Sequence, residues 1–117
     1  MLASFGVRQE FADDASYLVS STPMVHDAVA YPGRLVQNPG GLLLLEVAVA
    51  DQVERLIAVF EDGTTYGDGR LVSPSGSKVR VGESFTFDRG TSRTWTGDQI
   101  LGLFDGEDAE RAWGVGF

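Results

Sequence analysis

The chain has no cysteine, which removes disulfides, thiolate metal sites and cysteine nucleophiles together. It has a single histidine, His26, and a single lysine, Lys78. A Ser-His-Asp arrangement would have to be built on His26, and no serine stands in the G-x-S-x-G setting that exposes such a nucleophile. His26 therefore reads as a loop residue beside Asp27, and no residue is assigned to catalysis. Cationic side chains are few: 9 Lys and Arg stand against 17 Asp and Glu, for a net charge of −8. Phosphate binding depends on placed cations, and no basic cluster offsets the acidic excess, so nucleic acid is not expected as a direct partner. No apolar run approaches the roughly 18 residues of a membrane span. The opening MLASFGVRQEF lacks the apolar core of a signal peptide. The chain as given is expected to be soluble, without direct membrane insertion.

What is present points to one β-rich domain over residues 1–117. The length suffices for one core and is short for two. A hydrophobic content of 43% with 22% charged residues separates the chain from disordered sequences. Most of the 15 glycines stand near Asp, Pro or Ser, which is turn chemistry between short strands. Strand-like segments about 8–12 residues apart predict an all-β fold, an antiparallel immunoglobulin-like β-sandwich of about seven to nine strands.

Residues 42–60, LLLLEVAVADQVERLIAVF, organise the rest. From 42 to 50 both alternating rows are apolar: Leu43, Leu45, Val47 and Val49 on one, Leu42, Leu44 and Ala48 on the other, broken by Glu46. A strand covered on both faces reads this way. The following segment divides. As a strand, it puts Leu56, Ala58 and Phe60 on one face, and Asp62-Gly63 becomes a type I′ hairpin turn into Thr64, Thr65 and Tyr66. As a helix over 51–62, it has Asp51 as N-cap, Glu54 three residues on, and Val53, Leu56, Ile57 and Phe60 at helical spacing. The helix leaves Ala58 and Val59 on its wet face, so the strand is preferred; the helix would make the fold α+β.

Elsewhere, Phe5, Val7 and Phe11 suggest a first strand ended by Asp13-Asp14, and residues 17–20 a second. Residues 24–41 contain Pro32-Gly33 and Asn38-Pro39-Gly40-Gly41, and read as a long connection with one short edge strand. Strands are expected at 70–72, 78–81 and 83–88, then a polar, mobile loop at 89–94. An apolar run (Ile100, Leu101, Leu103, Phe104) and a last strand from Ala112 to the end follow.

Five groupings could carry chemistry. His26 is treated above. Ser75-Gly76-Ser77-Lys78 has the S-x-x-K spacing of acyl-enzyme formers, without the helix or companion motifs that chemistry needs, and reads as a tight turn. Glu61, Asp62 and Asp68 form one acidic group and Asp105, Glu107 and Asp108 another. Converging oxygens are what calcium requires, but neither group has EF-hand spacing, so both read as solvated turns, with no metal and no cofactor assigned. Trp95, Trp113, Tyr66 and Tyr31 could stack on sugar rings if exposed together. Filling the core is the commoner use of such residues, and Trp95, in the polar stretch SRTWTGD, is the one expected at the surface.

The order LLLLEVAVA, IAVFEDGTTY, a turn-rich stretch, ILGLF, an acidic break and a final Gly-Phe strand resembles immunoglobulin-like accessory domains of archaeal and bacterial cell-surface lipoproteins. The resemblance covers about residues 42–117 and lacks the lipid-attachment cysteine. It implies an extracytoplasmic or surface-associated location and a non-enzymatic binding module whose partner is a protein or cell-surface ligand. The alternative function is a structural component of a viral or other multi-subunit assembly, which an uncovered apolar face at residues 42–45 would favour.

Overall fold

The computed structural model describes residues 3–4, 6–104 and 109–117. Along the described chain lie β1 (Ala3–Ser4), β2 (Val7–Ala12), β3 (Ala15–Ser20), β4 (Val25–Gln37), β5 (Leu43–Val49) and β6 (Gln52–Phe60). There follow β7 (Thr65–Gly67), β8 (Arg70–Val72), β9 (Lys78–Arg80), β10 (Ser84–Thr91), α1 (Gly97–Leu103) and β11 (Arg111–Gly116). The protein is thus mostly β, as its turn-rich composition predicts.

Its layout departs from the expected antiparallel sandwich. Strand β4 pairs with β5, β5 with β6, β6 with β11, β11 with β10 and β10 with β4, which closes a five-stranded barrel. The closing contact between β6 and β11 is parallel, Arg111↔Leu56 through Val115↔Phe60. Strand β3 also lies parallel to the end of β6, through Leu18↔Val59 and Val19↔Phe60, and carries the β2 hairpin with it. Strands β7, β8 and β9 form a separate small sheet.

Closure explains the doubly apolar run. Leu43, Leu45 and Val47 join Leu35, Leu56, Ala58, Phe60, Phe87, Trp113 and Val115 in one buried cluster fed by all five barrel strands, the barrel interior. Leu42 and Leu44 join Ile57, Val59 and Ala112 in a second cluster outside the wall, beneath Val7 and Leu18 of the hairpin and Trp95 and Ile100 around α1. Both rows are covered over residues 42–45, where each fully buried Leu contributes about 1.5–3 kcal/mol, whereas Ala48 of the outer row is exposed. Residues 42–45 are at most 4% exposed, so the uncovered face that would favour an assembly is not there. Leu71 and Val79 of the small sheet pack into the inner cluster.

Several expectations are corrected. Residues 52–60 are strand, so the helix over 51–62 is not formed. The helix lies instead in the later apolar run, where Thr96 and Gln99 make a reciprocal capping box and Ile100 is buried. The supposed connection at 24–41 is mostly the 13-residue β4. Its Pro32 falls just where pairing to β5 stops, at Gly33↔Val47, so one side of the strand there needs no N–H. Gly33 is required by packing, since a Cβ would come within 2.8 Å of the Phe87 ring. The turn at residues 38–41 does form, with Gly41 N–H donating to the Asn38 carbonyl and Leu42 N–H to Asn38 Oδ1.

Asp62-Gly63 is not a type I′ hairpin. Thr64 N–H donates to the Glu61 carbonyl and Gly63 alone of the central pair has positive φ, while β7 leaves for the small sheet. Among the described residues, two-residue turns with positive φ at both central positions, as type I′ requires, lie elsewhere. Ala50 and Asp51, at φ 50° and 68°, join β5 to β6; Asp68 and Gly69, at 53° and 73°, join β7 to β8. The expected loop at 89–94 begins inside β10, which continues to Thr91. The expected first strand is divided at Gly6, with Val7 buried and Phe11 66% exposed; Phe5 lies outside the described residues.

Candidate functional site

The site with the clearest chemistry lies where the barrel wall opens. Antiparallel pairing of β10 with β11 stops at Gly90↔Gly114, and the end of β10 continues along β4 through Thr91↔Val25. The start of β11 remains paired to β6 on its other side. Between the two strand ends and the start of α1 is a recess of about 430 Å³, lined by Arg89, Ser92, Trp95, Asp98, Arg111 and Trp113 among others.

Register sets which side chains reach it. Arg89 is directly opposite Val115, and directly opposed residues share a face, so Arg89 belongs to the inner row with Val115 and Trp113. Its guanidinium carbon lies 4.8 Å from the centre of the Trp113 ring. That ring touches Tyr31 at 5.3 Å and Phe87 at 6.3 Å, so the cation rests on an aromatic cluster. Glu54 and Arg111 stand two residues before the inward Leu56 and Trp113, and pair with each other at 2.9 Å. The Glu110 carboxylate accepts from the Arg55 backbone N–H at 2.9 Å. On the outer side, Gly97 lies so close to the Ala112 carbonyl that a Cβ there would come within 2.4 Å of the oxygen.

A second recess, of about 360 Å³, is lined by Ser21, Thr22, Pro23, Met24, His26, Glu61 and Asp62. His26 Nε2 is 2.6 Å from Glu61 Oε1. Its ring lies against Gly90 and Gly116, where a Cβ would approach ring atoms to 3.1 Å and 2.7 Å. The neighbouring Asp62 accepts from Arg8, which also donates to Glu10 and Ser21. Arg8 holds the Asp62 carboxyl below its ordinary range, and Asp62, followed by Glu10, raises the Arg8 guanidinium above its own.

The candidates read from sequence are therefore dispersed. Glu61 turns to His26, Asp62 to Arg8, and Asp68 sits in the β7–β8 turn. Asp105, Glu107 and Asp108 lie outside the described residues, among which no metal-binding group of three ligands is found. Ser75, Gly76 and Ser77 make the expected tight turn, with Gly76 N–H donating to the Ser73 carbonyl and Ser73 N–H to the Ser77 carbonyl. The four aromatics do not share a surface. Tyr31 and Trp113 meet in the inner cluster, Tyr66 leans on Tyr17, and Trp95, expected to be exposed, is 4% accessible with Nε1 donating to Ser20 Oγ.

Arg89 was missed by sequence reasoning because RGTSRT reads as a loop. The signal was present: Phe85 and Phe87 alternate inward, and carrying that row two residues further reaches Arg89. Family models, curated proteins and solved structures yield no match to this chain.

Proposed function

We propose that the protein is a non-enzymatic binding module, and that its ligand enters the recess between β10, β11 and α1. The supporting observation is Arg89, a half-buried residue whose guanidinium lies over Trp113 and lines this recess with no carboxylate paired to it among the described residues. A volume of about 430 Å³ suits a small ligand or the end of a larger one. Among the described residues His26 pairs with Glu61 and no hydroxyl hydrogen-bonds to its ring, which supports a reading without catalysis. The partner class remains a protein or cell-surface ligand. The resemblance to immunoglobulin-like lipoprotein domains supplies the surface location, on strand order and hairpins rather than on the barrel layout.

Immobilised protein challenged with free-acid peptides and with glycans tests this reading. Saturable binding that an Arg89→Gln variant alters supports it. No binding from either class, with the fold intact, counts against it.

The assembly reading draws on a different place. The first half of β4 pairs with β10 alone, and its Val25 and Val29 are 73% and 56% exposed. Asp27 and the irregular register opposite Arg89 are devices that discourage edge pairing, which weakens this alternative. Light scattering after size exclusion, at low and molar salt, separates the two: a discrete oligomer lost on Val29→Lys would favour assembly.

A further inference from the structure

We propose that the recess beside β11 binds a single carboxylate group, with Arg89 as its anchor; this rests on the binding-module reading and names its ligand class.

A guanidinium lying over an indole uses its face for the ring and leaves its N–H donors in its own plane. Arg89 has its guanidinium carbon over the Trp113 ring, 4.8 Å from its centre. Arg89 lines the recess, and a bidentate carboxylate is the group whose geometry fits the fork of a guanidinium. Within the described residues the fold does not provide one. Among the described residues Arg8, Arg34, Arg55, Arg111 and His26 each have a carboxylate within ion-pair distance, while Arg70, Lys78, Arg80, Arg89 and Arg93 do not; of these five, Arg89 is the one that lines this recess and lies over an aromatic ring.

The surrounding charge selects among anions. Arg111 lines the recess too, but Glu54 already neutralises it. Asp98 and Glu110 line the same recess and are both acidic. These two carboxylates oppose any anion in the recess, and oppose a dianion more strongly than a singly charged one, so phosphate is disfavoured relative to a carboxylate held directly by the Arg89 fork. The recess is also larger than a carboxylate, leaving room for a small attached body beside Thr91, Ser92 and Gly114. The carboxylate could belong to a free small acid or to the C-terminus of an extended peptide, the same chemistry from two sources.

The test is a titration of the full chain followed by amide and indole N–H chemical shifts, at constant ionic strength. The probes are acetate, butyrate, a tripeptide with a free C-terminus, the same tripeptide amidated, and inorganic phosphate. Carboxylate probes are expected to shift Gly90, Gly114 and the Trp113 indole, with phosphate weaker. Arg89→Gln is expected to weaken carboxylate binding by about tenfold or more, and Arg89→Lys, which keeps the charge without the fork, by an intermediate factor. The Lys variant also serves if the Gln variant does not fold. Tighter binding of the free-acid tripeptide than of acetate supports the site and identifies a chain end; equal binding supports the site and identifies free acids. Carboxylates that shift none of these signals, that bind both variants unchanged, or that phosphate outcompetes would overturn the proposal. If glycans or amidated peptides bind meanwhile, the module reading survives and the carboxylate does not.

Discussion

Replacing Ala50 and Asp51 by Asn and Gly should stabilise the protein by about 1–2 kcal/mol, because the β5–β6 hairpin turns through two left-handed residues that its sequence does not favour. For L-residues that region brings Cβ against the following carbonyl, at roughly 1–2 kcal/mol per residue, with Asp suffering less than Ala. Asn tolerates the conformation and Gly adopts it freely, while Gly also raises the entropy of the unfolded chain by about 0.5–1 kcal/mol, which trims the gain. Both side chains are exposed, so the substitutions act through the backbone. With an m-value of about 2 kcal/mol/M, the middle of the usual range for a small domain in urea, the midpoint should rise by about 0.5–1 M at constant m. Ala50→Val, which adds a branched Cβ to the same φ, should lower it. An unchanged or lowered midpoint for the Asn-Gly variant, or a neutral Val, would refute the type I′ assignment and the register that follows from it.

Gly114→Ala should cost about 1–3 kcal/mol in urea unfolding, because its Cβ would lie 2.6 Å from both the Gly90 carbonyl oxygen and Met24 Sδ, and the backbone partner cannot move aside. Gly102→Ala, in α1 with open space around it, should instead gain about 0.5–1 kcal/mol from helix propensity. Trp95 and Trp113 are both buried, so tryptophan emission should be blue-shifted and resist quenching by the neutral quencher acrylamide; a red-shifted, easily quenched emission would put a tryptophan back at the surface. Arg34 first, and Arg55 after it, hold the Glu46 carboxyl below its ordinary value near 4.5, with burial partly opposing them. Its folded value is depressed, so its contribution is complete above the unfolded value and is lost as pH falls through the folded one. Wild type should therefore lose stability faster than Glu46→Gln in acid below about pH 4.5, and parallel acid curves would refute the pairing.

The central run was the most legible part because its pattern carries two demands at once. Leu43 and Leu45 on one row and Leu42 and Leu44 on the other require two covers, and the structure supplies an inner core and an outer one. The strand reading of residues 55–61 rests on the wet face that a helix would give Ala58 and Val59, and both are fully buried. What defeated reading from sequence was punctuation used for packing. Pro32 and Gly33 look like a turn, yet one stands where a flanking strand ends and the other admits the Phe87 ring. Ala50-Asp51 turns the chain without a glycine, whereas Asp62-Gly63, the stronger hairpin signal, does not make a hairpin. The helix was missed although Thr96 and Gln99 stood at capping-box spacing, since Gly97 and Gly102 dilute its propensity. Gly97 is there because α1 crosses directly over the Ala112 carbonyl.

Closure is the feature that no local pattern could disclose, and it also creates the candidate site. Strand β11 is last in the described chain and inserts between β6 and β10, parallel to one and antiparallel to the other. Its glycines at 114 and 116 leave no side chain on the outer face, so Met24 and the His26 ring can lie directly on the strand there. Beyond Gly90↔Gly114 the two partners diverge, β10 following β4 toward Val25 while β11 stays with β6. A barrel whose wall is held by two differently directed partners opens where their paths separate. Arg89 stands at that opening because it is the residue by which the inward row of β10 passes beyond the apolar layer of Phe87 and reaches water. Ligand access and barrel closure are thus set by the same strand register. Substitutions at Gly90 or Gly114 that shift this register disturb the recess as well as the core, whereas changes to the Arg89 side chain act on the recess with the register left in place.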